Sequence, residues 1–137
     1  MNESEDACPF CHVPPVRVIA ENELAIALLD KFPVNRGHVL ICPRRHVASF
    51  FTLTEPETAA VFRLVHDLKA RGDDEFQPAG YNIGVNVGRA AGQTLLHVHV
   101  HLIPRYDGDV EDPTGGVRNV IPGKGNYLHW DGQRQTV

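Results

Sequence analysis

The sequence predicts an α+β domain: a layered sheet with one main helix plus short helical segments. Three observations carry that prediction. Five short strand-like stretches are joined by turns rather than by helices, and only one long helical periodicity occurs. The 137 residues are also 42% hydrophobic, enough for one real core. Strands with few helices and short connections favour such a layered sheet over a parallel βαβ array.

The first two strands fall at about 16–20 and 24–29, and the polar Glu21-Asn22-Glu23 between them suggests a hairpin. The third covers about 38–42, where alternation sets His38, Leu40 and Cys42 on one face. A helix follows at about 55–70: Thr54 with Glu57 forms a capping box, Pro56 suits the first turn, and Gly72 can end it. Its buried stripe is Val61, Leu64, Val65 and Leu68. In the fourth strand, about 81–87, Tyr81, Ile83, Val85 and Val87 alternate with Asn82, Gly84 and Asn86, which puts Asn86 on the polar face.

The fifth strand, about 95–103, carries His97-Val98-His99-Val100-His101-Leu102-Ile103. Alternation sends Leu96, Val98, Val100 and Leu102 to a core and the three imidazoles to the opposite face. One ion cannot take all three, because the outer two start roughly 13 Å apart on a flat strand. The other use of imidazole is as nucleophile or acid and base, with a pKa of about 6.5 near working pH. After Tyr106 the chain turns rich in Gly and Pro, and this segment is a solvated tail, an interface cover, or a carrier of Arg118 and Lys124 toward phosphates. The expected organisation is one domain over 1–137, with its core at about 8–106 and a Gly/Pro-rich segment at 107–137.

A net charge of −4 and a pI near 6.0 argue against nucleic-acid or anionic-membrane partners, while leaving room for a locally positive nucleotide pocket. No apolar run approaches the 18 or so residues of a membrane span. The start, Met1-Asn2-Glu3-Ser4-Glu5-Asp6, is the reverse of a signal peptide, so a cytoplasmic location is expected. Cys8-Pro9-Phe10-Cys11 allows a metal pair, a redox dithiol or neither. No βαβ context supports the dithiol, and zinc would need two further ligands from the eight histidines. Cys42, among apolar neighbours, reads as a small core residue.

The triad pattern, together with Gly37-His38-Val39-Leu40-Ile41-Cys42-Pro43, Ala91-Gly92-Gln93-Thr94 and Pro104-Arg105, resembles the histidine triad (HIT) family of nucleotidyl hydrolases and transferases. The resemblance spans about 8–106 and is closest in wording to the fragile-histidine-triad and bacterial dinucleoside-polyphosphate branch. It implies a five-stranded antiparallel sheet and a homodimer joined into a ten-stranded one, with Phe50-Phe51 and the exposed part of the helix as candidate interface residues. The implied activity is attack on the α-phosphorus of a purine nucleotide, either a dinucleoside polyphosphate or a nucleoside phosphoramidate. His99 would be the nucleophile, its other ring nitrogen donating to a backbone carbonyl near the third histidine, with His97, His101 and His38 completing the catalytic set. Gly92, Gln93 and Thr94 would meet phosphate, Asp30 the ribose hydroxyls, and Asn86 the substrate.

Some relatives also carry zinc on a Cys-x-x-Cys, a histidine after the upstream strand and the first triad histidine. Carried over, the ligands are Cys8, Cys11, His46 and His97, an expected structural Zn²⁺. The fragile-histidine-triad branch typically lacks these cysteines and that histidine, so the chain resembles a zinc-bearing bacterial-type member. A divalent cation would reach the site only with a polyphosphate substrate. The alternatives are nucleotidyl transfer to another acceptor and a nucleotide-binding signalling module with little turnover.

Overall fold

The protein is described by a computed structural model covering residues 4–132 and 134–136; Met1, Asn2 and Glu3 of the acidic start lie outside the described residues. Backbone proximity divides the chain into two units, Met1–Arg105 and Tyr106–Val137. The first holds strands β1 (Val18–Glu21), β2 (Ala25–Leu29), β3 (Val39–Pro43), β4 (Gly80–Val85) and β5 (Val100–Arg105), with helix α1 at Glu55–Phe76. They form one antiparallel sheet of order β1-β2-β3-β5-β4. Short 3₁₀ turns, such as Pro15–Arg17, Phe50–Thr52 and Arg89–Ala91, fill the connections.

Strand alternation gives the sheet two different faces. Ala25, Ala27, Val39, Ile41, Val100 and Leu102 pack against Ala60, Val61, Leu64, Val65 and Leu68 of α1. Ile26, Leu28, Leu40 and Cys42 turn the other way and are covered by the N-terminal arm through Cys8 and Phe10. Leu40 pairs with His101, and His101 with Gly84, so the chemistry-bearing side chain of β5 stands on the arm face. Asp30 and His38 flank β2 and β3 with that same parity.

The helix starts as the sequence predicts, with both hydrogen bonds of the Thr54–Glu57 capping box formed and Arg45 clamping the Glu57 carboxylate at 2.8 and 3.0 Å. It ends later than expected. Gly72 lies inside α1, where a Cβ would sit 2.9 Å from the Tyr81 hydroxyl. That hydroxyl donates to Asp73 Oδ1 at 2.8 Å, so the glycine marks a close crossing rather than a stop. The helix stops instead at Gln77, in the left-handed region at φ 51°.

Three strands also differ from expectation, β4 by ending at Val85 so that Asn86 and Val87 lie beyond it. Pro14-Pro15 builds a 3₁₀ turn, which delays β1 to Val18. Residues 95–99 are not in the sheet, and the Val98 N–H goes to the Val47 carbonyl at 2.8 Å, so β5 begins only at Val100.

The second unit contains 3₁₀ turns at Gly116–Val120 and Tyr127–His129. Arg118 donates to the Gly125 carbonyl at 2.9 Å and lies 5.8 Å from the Tyr127 ring centre and 6.0 Å from that of Trp130. Its guanidinium therefore braces this segment. Gly115, at φ 88°, approaches Gly125 so closely that a Cβ would fall 1.9 Å from its carbonyl oxygen.

Candidate active site

The irregular stretch before β5 separates the three histidines into two jobs. His97 is fully buried; its Nε2–H donates to the Pro43 carbonyl at 2.7 Å, which leaves the Nδ1 lone pair facing sulfur. Cys8 and Cys11 Sγ lie 3.4 and 3.5 Å from that Nδ1, and His46 Nδ1 lies 3.3 Å from Cys11 Sγ. The expectation that His97, His99 and His101 share one exposed face is thereby corrected. Because residues 95–99 leave the pleat, His97 turns inward with both ring nitrogens engaged.

Cys8, Cys11, His46 and His97 bring four donor atoms within 4.8 Å of one another. Zinc–sulfur bonds of about 2.3 Å and zinc–nitrogen bonds of about 2.0–2.1 Å set S···N edges of a tetrahedron near 3.5 Å. The Cys8–His97, Cys11–His46 and Cys11–His97 contacts already have that spacing, and the Pro43 carbonyl supplies the outer hydrogen bond that fixes a ligand imidazole. The donor set therefore fits a closed structural site. His12 is not part of it; its Nε2 bonds the Glu5 carbonyl at 3.1 Å on the exposed side. Cys42 is a buried thiol pushed up to about 12, by burial first and by its neighbouring cysteines second, which suits an inert core residue.

His99 is half-buried, and its Nδ1–H donates to the His97 carbonyl at 3.0 Å. The acceptor is thus on the first histidine of the triad, not near the third. With Nδ1 carrying the proton, Nε2 keeps its lone pair.

His101 and His38 form a second pair, with Nδ1 of His101 2.9 Å from Nε2 of His38. The proton positions follow from the backbone. Val34 N–H donates to His38 Nδ1 at 3.2 Å, so the neutral His38 ring carries its proton on Nε2 and donates it to His101. His101 then carries its own proton on Nε2. Both rings are held neutral: burial lowers His38 despite the opposing Asp30 charge, and burial, with His99 and His38 adding to it, lowers His101 to about 4. Asp30, His38 and His101 also bring three donor atoms within 4.8 Å. A cation there would need the lone pair of His38 Nε2, which the Val34 bond gives to the proton, so the hydrogen-bonded relay fits better.

The remaining expected residues are placed as follows. Asp30 Oδ2 lies 3.5 Å from His38 Nε2, while its Oδ1 accepts from Phe32 N–H at 2.8 Å. Gly92 ends a 3₁₀ turn at φ 91°, and it and Thr94 are exposed beside the triad segment. Gln93 differs from expectation. Its amide does not point at open space: Nε2 donates to the Ala48 and Leu95 carbonyls at 2.7 and 3.0 Å, and Oε1 accepts from Gly88 N–H at 2.9 Å. The side chain braces the loop that presents its neighbours. Asn86 is exposed just past β4, where one further step of the β4–β5 register would set it opposite His99.

Sequence reasoning missed three contributors. The Val34 N–H and the Pro43 carbonyl are backbone groups with no sequence signal. Phe10 was visible only as a spacer between two cysteines, yet its ring lies 5.1 Å from His99 and 5.8 Å from His97, edge-on to each.

Comparison with known proteins agrees with this geometry. The model of the HIT domain family matches residues 12–108. An uncharacterised HIT-like protein of Methanocaldococcus jannaschii is 41% identical over 122 residues, covering 82% of this chain and 91% of its own length. A Mycobacterium tuberculosis protein named AP-4-A phosphorylase is 33% identical over 129 residues, 88% of this chain and 66% of the relative. The adenosine 5'-monophosphoramidase of Schizosaccharomyces pombe is 36% identical over 104 residues, 72% and 74% of the two chains. Among solved structures, a HIT family protein of Bacillus anthracis aligns with TM-score 0.71 at 36% identity, covering 76% of this chain and 77% of that one. A zinc-bound histidine triad family protein of Mycobacterium smegmatis aligns with TM-score 0.71 at 29% identity, covering 80% and 82%.

Proposed function

The chain belongs to the HIT domain family, and from that premise we propose that it is a nucleotide hydrolase or transferase in which His99 attacks the α-phosphorus of a dinucleoside polyphosphate or nucleoside phosphoramidate. The observation that carries this reading is the 3.0 Å bond from His99 Nδ1–H to the His97 carbonyl, which reserves Nε2 as the nucleophilic atom. The names of the phosphorylase and phosphoramidase relatives support the substrate class.

In the proposed reaction, His99 Nε2 forms a bond to phosphorus as the bond to the leaving group breaks. A nucleoside oligophosphate departs with the bonding pair; from a phosphoramidate the leaving nitrogen takes that pair together with a proton from His101 Nε2. The ring becomes a cation whose Nδ1–H stays on the His97 carbonyl. Water then attacks the same phosphorus, the P–N bond returns its pair to Nε2, and a proton is released with the nucleoside monophosphate. His101, neutral and primed by His38, donates its Nε2–H to a phosphate oxygen as charge builds there. A neutral relay suits leaving groups that depart as stable anions, which favours polyphosphate over amine.

The exposed Gly92–Thr94 loop would meet the phosphates, with Thr94 and loop backbone as donors and Gln93 as their brace. Asp30 would bind ribose hydroxyls, Asn86 the substrate near His99, and a divalent cation would arrive only with polyphosphate. The purine nucleotide is the expected partner, with neither nucleic acid nor membrane as a target.

Zn²⁺ is the proposed occupant of Cys8, Cys11, His46 and His97. When bound it would tie the arm to the sheet. It takes no part in the steps above.

Homodimerisation would extend the sheet to ten strands along β4, which stands at its edge with Ile83 exposed. No helix among the described residues is long and apolar enough to cross a membrane. Among the described residues no disulfide joins Cys8, Cys11 and Cys42, in keeping with the proposed cytoplasmic setting. The whole chain, 1–137, is proposed to act as one HIT domain with a C-terminal extension.

The phosphorylase relative favours one second reading, in which inorganic phosphate rather than water takes the nucleotidyl group.

The deciding experiment is mass spectrometry of protein quenched without acid after mixing with diadenosine polyphosphate or adenosine phosphoramidate. A transient adenylate on His99, absent from His99→Ala, is the expected result. Nucleotide binding with neither adduct nor turnover would replace this reading with the signalling module.

A further inference from the structure

We infer that Phe10 is a positioning residue for His99, and that the cysteine pair flanking it serves to hold that ring in place. The inference rests on His99 being the nucleophile. Phe10 is 7% exposed and packed among Ile26, Leu28, Leu40 and Cys42 on the arm face. Its ring centre lies 5.1 Å from that of His99 with planes at 77°, and 5.8 Å from that of His97 at 84°.

A hydrogen bond at Nδ1 fixes only one point of an imidazole; the ring can still swing about that bond. His101 touches it on one side, with ring centres 5.0 Å apart. Phe10 supplies another wall, so the Nε2 lone pair keeps a single direction. Phe10 is in turn fixed by its covalent neighbours: Cys8 and Cys11 both reach His97 Nδ1, and Cys11 N–H closes a turn on the Cys8 carbonyl at 3.2 Å. The same residue whose carbonyl orients His99 thus anchors the loop that carries Phe10. Small misplacement of a reacting atom is costly, on the order of 100-fold in rate for about 1 Å.

The test uses full-length protein with ¹⁵N-labelled histidine, as wild type, Phe10→Leu and Phe10→Ala. His99 signals are assigned by their loss in His99→Ala. Wild type is expected to show His99 as a single Nδ1–H tautomer. Phe10→Ala should average the His99 signals toward a tautomer mixture while those of His38 and His101 stay in place. Phe10→Leu, which keeps apolar volume, should fold, retain metal and show a smaller change. With adenosine-bearing substrate, kcat should fall on the order of tenfold to 100-fold in Phe10→Ala with KM little changed.

Unmoved His99 signals in Phe10→Ala and Phe10→Leu would overturn the proposal. A rise in KM at constant kcat would also overturn it, since the ring would then serve the substrate. Should wild type turn over neither substrate, the reaction reading fails, while the tautomer spectra still decide whether Phe10 orients His99.

Discussion

Replacing His101 by Gln should flatten the acid limb of the stability curve. His101 is held neutral, at about 4 against an ordinary value of 6.5, because burial disfavours its charge and His99 and His38 add to that. The unfolded chain therefore takes up a proton near pH 6.5 that the folded chain refuses until about pH 4. The stabilisation is complete above pH 6.5 and is lost as the pH falls through that window. From pH 7.5 to 5, linkage gives about 2 kcal/mol for an unscreened group, or about 1 kcal/mol for a half-buried ring with solvent beside it. With a urea m-value of about 2 kcal/mol/M, wild type should lose about 0.5 M more in midpoint than His101→Gln across that range. Gln keeps an acceptor for His38 Nε2–H, and both proteins share the same cysteines and carboxylates, so those titrations cancel in the difference. Urea unfolding at the two pH values measures it. Equal acid loss in the two proteins would refute the buried neutral relay.

Three other outcomes are expected. Chelation or Cys11→Ser should release the metal proposed for that site and lower Tm by several degrees, read by metal analysis and thermal unfolding; complete loss of turnover at unchanged Tm would instead put the metal in the chemistry. Glu57→Gln should cost about 1–2 kcal/mol at neutral pH, since Arg45 first, and then the Thr54 N–H and hydroxyl, hold the Glu57 carboxyl at about 2. That difference is complete above about pH 4.5 and should shrink as the pH falls toward 2, so parallel unfolding curves down to low pH would argue against it. Gln93→Ala should release the loop at 88–95 and raise KM for phosphate-bearing substrates on the order of tenfold; unchanged steady-state kinetics would remove the brace from the site.

What was legible in the sequence was local or periodic. Thr54 and Glu57 announced the start of α1 because a capping box lies within four residues. Leu40, Cys42, Val100 and Leu102 announced their faces because a strand alternates. The end of α1 was hidden because Gly72 answers to Tyr81, a contact made across the fold. The split of the triad was hidden for the same reason: a period-two pattern continues through 97–103, while the backbone at 95–99 obeys Val47 and the cysteine cluster. The ligand set came from resemblance, and only the structure brought the donor atoms of Cys8, Cys11, His46 and His97 within 4.8 Å of one another. Gln93 looked like a phosphate donor because its chemistry permits it, and nothing short of three-dimensional neighbours reveals a side chain already occupied.

The alternation in β5 has one more consequence. Val100 and Leu102 face α1 while His101 between them faces the relay, and His99 sits one step before the strand. Inserting or deleting a single residue between His97 and Leu102 would exchange the two sets, sending imidazole into the hydrocarbon layer and valine to the substrate. Isoleucine for valine at 100 changes only local packing; a shift in length changes every assignment at once. In this stretch, spacing is a stricter constraint than identity. A library that varies residues at fixed length should keep folded members, whereas one that varies length should keep almost none.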